Sequence, residues 1–169
     1  MRDTDEPIRS RARALLKLPS ATADIDTNDM DPGDFGRGER IFVAHCGQCH
    51  KSDETGNANF GPDLATIRHW PRQALLDKIK NPQRSIASGY EQWRITLTNG
   101  NSLDGVIAAE TPTTITMLTL TNTHTLRRDD MAKLTALPGS AMPAGLDAAM
   151  SREDLIDLLS FLLRENAPR

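Results

Sequence analysis

Residues 46–50 read Cys46-Gly47-Gln48-Cys49-His50, and these are the only two cysteines among the 169 residues. Two thiols at this spacing, followed at once by an imidazole, have few chemical uses. A structural zinc ion needs about four ligands, commonly two cysteines with two more Cys or His. The other histidines are His45, His69 and His124, and none makes the usual His pair of a finger. A thioredoxin-like redox pair belongs in a βαβ context, which the surrounding pattern lacks. A structural disulfide here closes too short a loop to constrain the chain much. The spacing does suit covalent attachment of one haem c. Each thiol adds to one vinyl group of the porphyrin, and His50, next in line, can give its imidazole nitrogen to the iron.

Composition agrees with such a cofactor. Only 4% of the residues are aromatic and 38% are hydrophobic, so the core is mainly aliphatic, and a haem adds apolar surface that composition does not record. The net charge of −3 implies no broad basic surface for nucleic acid. No apolar run reaches the roughly 18–20 residues that span a bilayer. The opening Met1-Arg2-Asp3-Thr4-Asp5-Glu6 has no apolar h-region and is not a secretory signal. Haem attachment to cysteines is normally an exported-side event. The expectation is therefore a segment of a longer exported, periplasmic precursor, with Met1 not the native start.

Four stretches follow one another. Residues 1–33 read as a short basic helix (Ile8 to Leu18) and a linker, the tail of a preceding domain. Residues 34–90 read as helical around the pentad: one helix leads into Cys46, and another spans Arg72 to Lys80 with Leu75, Leu76 and Ile79 on one face. Residues 91–137 change period. Trp93, Ile95 and Leu97 alternate with polar residues, Asn99-Gly100 signals a hairpin, and strands are expected at Leu103–Ala108, Thr113–Leu120 and Thr123–Leu126. Asp129 to Leu134 reads as a helical turn. Residues 138–169 return to helix after a loop: Ser151 opens it, Leu155, Leu158, Leu159 and Leu162 form its apolar stripe, and Asn166 and Pro168 end it.

The other side of the iron needs its own ligand. Met142 stands in the polar loop Ser140-Ala141-Met142-Pro143, where a methionine has no packing reason to be. A thioether is a soft ligand that raises the potential relative to a second histidine; the bland alternative is a gap-filling side chain. Met117 reads as sheet core, Met131 and Met150 as packing residues. His45 and His69 read as surface or propionate neighbours, and His124 as exposed.

Together these residues resemble a class I cytochrome c. More closely, residues 36–163 are similar to the haem-binding domain at the C-termini of large exported planctomycete and verrucomicrobial proteins. The matching residues are the pentad, Gly61-Pro62-Asp63-Leu64, Asn81-Pro82 with Ile86 and Tyr90, the strand segment around Asn99-Gly100 and Gly105, Met142-Pro143-Ala144-Gly145-Leu146, and the last helix to Leu163. The resemblance implies a mainly α cytochrome c core, residues 34–90 and 138–169, interrupted by a small antiparallel β insertion at 91–137, α+β overall. Met142 lies 92 residues beyond His50, and setting the insertion aside restores an ordinary spacing. The resemblance also implies that the Pro62 carbonyl orients the His50 ring, and that the first helix, through Gly38 and Phe42, crosses the last near Leu158 and Phe161.

The function expected is one-electron transfer through a haem ligated by His50 and Met142, between a dehydrogenase, fused or separate, and an acceptor. No turnover site stands out. A ligand sensor or peroxidase-like enzyme is the alternative, with His69 or His124 as distal group. A third reading makes the strand block a docking face for a partner domain or glycan.

Overall fold

Asp34 opens the first helix, α1 (Phe35–His45), by accepting the Arg37 backbone N–H at 2.6 Å, which satisfies one of the donors every helix start leaves unpaired. The computed structural model describes residues 32–56, 60–165 and 167; the helix expected at 8–18 and the linker up to residue 31 lie outside them. The second helix, α2 (Arg72–Lys80), starts after Pro71, buries Leu75, Leu76 and Ile79, and stops at Asn81-Pro82. The third, α3 (Arg152–Leu163), starts with a capping box. Ser151 Oγ accepts the Asp154 N–H (3.1 Å) and the Asp154 carboxylate accepts the Ser151 N–H (2.9 Å). This helix ends at Leu163, short of the expected Asn166 and Pro168. Arg164 turns left-handed at φ 56 and its N–H returns to Phe161 O at 3.1 Å, a backbone stop that needs no proline.

One hydrophobic core joins the three helices: Phe42 of α1, Leu75, Leu76 and Ile79 of α2, and the Leu155–Leu162 stripe of α3. Helices α1 and α3 touch backbone to backbone where Gly38 meets Asp157. A Cβ at Gly38 would sit 1.9 Å from Asp157 O and 2.9 Å from Phe161 Cβ. The Phe161 ring packs 5.2 Å from both Phe35 and Phe42, tilted in each case, the arrangement aromatic quadrupoles favour. Asp157 is buried at this crossing, and its charge is met by the Asp34 N–H (2.8 Å) and Arg37 Nε (3.2 Å). A buried carboxylate without such partners is costly.

Between α2 and α3 the chain forms a five-stranded antiparallel sheet: β1 (Gln92–Leu97), β2 (Ser102–Glu110), β3 (Thr114–Leu118), β4 (Thr123–Arg127) and β5 (Met131–Ala136), in the order β4-β3-β2-β1-β5. The β1–β2 turn uses Gly100 at φ 88, the left-handed conformation the Asn99-Gly100 pair predicts. The sheet has its own core of Ile95, Ile115 and Met117. The fifth strand corrects the expected helical turn at Asp129–Leu134. Only Arg128–Asp130 is helical, as one 3₁₀ turn, and the chain then extends. Met131-Ala132-Lys133-Leu134 is made of good helix formers, but pairing along β1 overrides that preference. The sheet also returns to its starting point. Ala136 pairs with Trp93, and the Leu137 N–H donates to Gln92 O at 2.8 Å.

Candidate functional site

The pentad is the C-terminal stop of α1. The Cys46 and Gly47 N–H groups both return to Phe42 O at 2.8 Å, and the Cys49 and His50 N–H groups return to Cys46 O at 3.0 and 2.9 Å. This tight winding carries the two sulfurs and the imidazole on consecutive turns. Both cysteines are unpaired and half-buried. Burial, with Cys49 adding to it, pushes the Cys46 thiol up to about 12. Burial also raises Cys49.

His50 is fixed from two sides. Its Nδ1 lies 2.9 Å from Pro62 O. A carbonyl only accepts, so Nδ1 carries the proton and Nε2 keeps the free lone pair. Gly61 lies against the ring: a Cβ there would fall 2.5 Å from Cε1, 2.7 Å from Nδ1 and 3.0 Å from Nε2. The Gly61 N–H donates to Cys49 O at 2.7 Å and the Leu64 N–H to Lys51 O at 2.7 Å, so the loop is stitched back onto the pentad. Gly56, at φ 88, passes so close to the His50 carbonyl that a Cβ would lie 2.3 Å from its oxygen. Burial lowers the His50 pKa, opposed in part by the Pro62 bond, so the ring is neutral at neutral pH, the form that ligates a metal.

Around this ring the loop is anchored by ion pairs. Asp53, left-handed at φ 54, receives Arg68 and, at 2.7 Å, Arg164 from the end of α3. The Arg68 hydrogen bond, and then that of Arg164, hold its carboxyl below the usual range against the effect of burial. Thr55 Oγ1 reaches Glu39 of α1 at 3.0 Å. Cys46, Leu64, Ile67 and Leu146 pack half-buried on the helical core.

Met142 is half-buried in the loop before α3. Gln83, just beyond α2, holds that loop: its Nε2 donates to Met142 O (2.9 Å) and Ser140 O (3.2 Å), and its Oε1 accepts the Ser140 N–H (2.7 Å). The structure therefore brings Cys46, Cys49, His50 and Pro62 together and ties Met142 to Gln83. His69 and His45 are exposed, and His124 lies on β4 opposite Met117. Sequence reasoning missed Gln83, the Asp53–Arg68–Arg164 cluster, and the contact of Gly61 with the ring. Only Gly61 had a signal, its place beside Pro62.

These residues fit a haem c. The cysteines are unbonded thiols, the imidazole is neutral with one nitrogen free, and a soft thioether stands in a polar loop. Among the described residues no group of three or more His, Cys, Asp or Glu is placed to hold a bare metal ion. The unpaired thiols and the free imidazole nitrogen are the groups that would hold a haem c. In keeping with this, residues 33–99 match the family model described as cytochrome c oxidase, cbb3-type, subunit III. The match includes the pentad and Pro62 and stops short of Met142. A c-type cytochrome domain suggests haem c, electron transfer and a redox partner, and such domains are typically exported. No helix among the described residues is long and apolar enough to cross a membrane. Among solved structures, the chain is similar to the pleiotropic translational regulator Hfq at 15% identity, over 38% of this chain and 88% of that one, with a TM-score of 0.27, too low to equate the two folds.

Proposed function

We propose that this chain is a class I c-type cytochrome domain with one covalent haem, ligated by His50 and Met142, that passes single electrons between a dehydrogenase and an acceptor. The observation that carries the reading is the His50 ring, pinned through Nδ1 to Pro62 at 2.9 Å directly after two unpaired cysteines. The haem supplies the one-electron couple. The chain's own residues do the rest. Cys46 and Cys49 anchor the group, and Pro62 fixes the tautomer and strengthens His50 as a donor. Met142 would supply the second ligand, a thioether that favours the reduced iron.

On this reading the three helices form a cytochrome core at residues 34–90 and 138–169, and the sheet at 91–137 is an insertion in it. The sheet's closed base, Leu137 N–H to Gln92 O, supports that division. The domain belongs on the exported side and is of the planctomycete and verrucomicrobial kind, with the dehydrogenase fused or separate. The peroxidase or sensor alternative gains nothing from His69, which faces solvent, or from His124, which sits in the sheet.

The test is the oxidised and reduced absorption spectrum with the denatured mass. Covalent haem, low-spin iron and the weak methionine-to-iron charge-transfer band are expected. Met142→Ala should abolish that band, leave the haem attached, and open the reduced iron to carbon monoxide. An unchanged spectrum in Met142→Ala would rule out the thioether ligand.

A further inference from the structure

We infer that Gln83 is a positioning residue that holds Met142 against the iron. This inference rests on the proposed His50/Met142 ligation. The loop carrying Met142 has little structure of its own. It contains Pro138, Gly139 at φ 82, and Pro143, and its own bond to the ligand's backbone is the Met142 N–H to Ser140 Oγ at 3.1 Å. Gln83 supplies what is missing. One side-chain amide uses its acceptor and its donor on two residues of the loop, Ser140 and Met142, with Met142 O taken at 2.9 Å. Gly139 makes room for it, since a Cβ there would lie 2.5 Å from Gln83 Oε1.

The position of Gln83 in the fold explains why a clamp is needed. Residues 84–139 separate it from Ser140, and that interval contains the whole sheet. A ligand loop that follows a separate module would inherit any motion of that module. Gln83 joins the segment before the sheet to the loop after it, and ties the ligand loop to the turn just beyond α2. Pro82, the neighbour of Gln83 in the chain, is buried. Gln83 itself is exposed, so its bonds compete with water and contribute little to the fold. Their effect falls on where Met142 sits.

The test uses the haem-loaded chain with Gln83→Ala and Gln83→Glu, beside Met142→Ala. Glutamate keeps an acceptor for the Ser140 N–H but loses both donated bonds and sets a carboxylate beside the Met142 carbonyl. Both variants should weaken the methionine charge-transfer band and raise the carbon monoxide affinity of the reduced protein about tenfold, the combined effect of the two or three exposed hydrogen bonds lost. The melting temperature should barely move. If Met142→Ala loses the band while both Gln83 variants bind carbon monoxide within about twofold of the parent, the role of Gln83 falls and the ligation stands. A lower melting temperature with unchanged carbon monoxide affinity would also overturn it, because that is the signature of a purely structural residue. If Met142→Ala keeps the band, the ligation fails and the inference goes with it.

Discussion

At the scale of single residues, the site depends on glycines that leave room for His50. Gly61 lies flat against the imidazole, and no other residue can stand there without moving the ring, since a Cβ would come within 2.5 Å of Cε1. On the proposed reading, Gly61→Ala should therefore leave both thioether bonds to the haem intact, because Cys46 and Cys49 are untouched, yet displace the ring from its bond to Pro62. The denatured mass should show haem still attached. The oxidised spectrum should shift from low-spin toward high-spin, and stability should fall by roughly 1–3 kcal/mol, the cost of forcing extra volume into a packed site. A fully low-spin Gly61→Ala would mean that the ring is free to move away from Gly61 and that Pro62 alone orients it.

At the scale of elements, α1 and α3 hold the pentad in place, and their closest backbone approach is at Gly38. Gly38 brings the two backbones together, and the buried Asp157 then takes the Asp34 N–H and Arg37 across the same crossing. Gly38→Ala puts a methyl group 1.9 Å from Asp157 O, so the helices must separate. The helix-propensity gain of about 1 kcal/mol is outweighed by the lost packing around Phe42 and Phe161, for a net loss of about 1–3 kcal/mol. Chemical denaturation of the haem-loaded chain measures it, and a stabilised variant would show that the crossing has slack. These helices were legible in the sequence because their signals are local: Ser151 as a cap, the leucine spacing of α3, the Asn81-Pro82 stop. The first four strands announced themselves through alternation and the Asn99-Gly100 turn. β5 did not, because Ala132, Lys133 and Leu134 prefer helix and only their distant partner β1 makes them a strand. Gln83 was illegible for the same reason: a glutamine in a turn carries no sign of a partner 57 residues on. The pentad could be read because its chemistry lies within five consecutive residues, whereas the role of Pro62 was implied only by the resemblance to cytochrome c.

At the scale of the molecule, the chain has two hydrophobic cores, one among the helices and one within the sheet, with no buried residue in common. The sheet buries only four hydrophobic side chains, Ile95, Val106, Ile115 and Met117, too few to stabilise a free domain of this size. The helical core has its stripe of leucines and, on the proposed reading, the haem. The strands pack chiefly on one another and the helices on one another, so the helical core does not depend on the sheet, and the sheet is the weaker of the two units. The chain path allows the point to be tested, because the sheet closes where it begins. Gln92 and Leu137 are joined by a backbone hydrogen bond of 2.8 Å, and paired residues of neighbouring antiparallel strands lie about 5 Å apart. Replacing residues 93–136 by two glycines spans that gap. The shortened chain should take up covalent haem, keep low-spin iron with the methionine band, and unfold cooperatively. Residues 91–137 made alone should lack a cooperative transition. Loss of the band in the shortened chain would show that the sheet, and not Gln83 alone, positions the Met142 loop. With the band kept, electron exchange with the native redox partner becomes the deciding measurement. A rate equal to that of the full chain makes the sheet a cover, and a lost rate makes it the docking face.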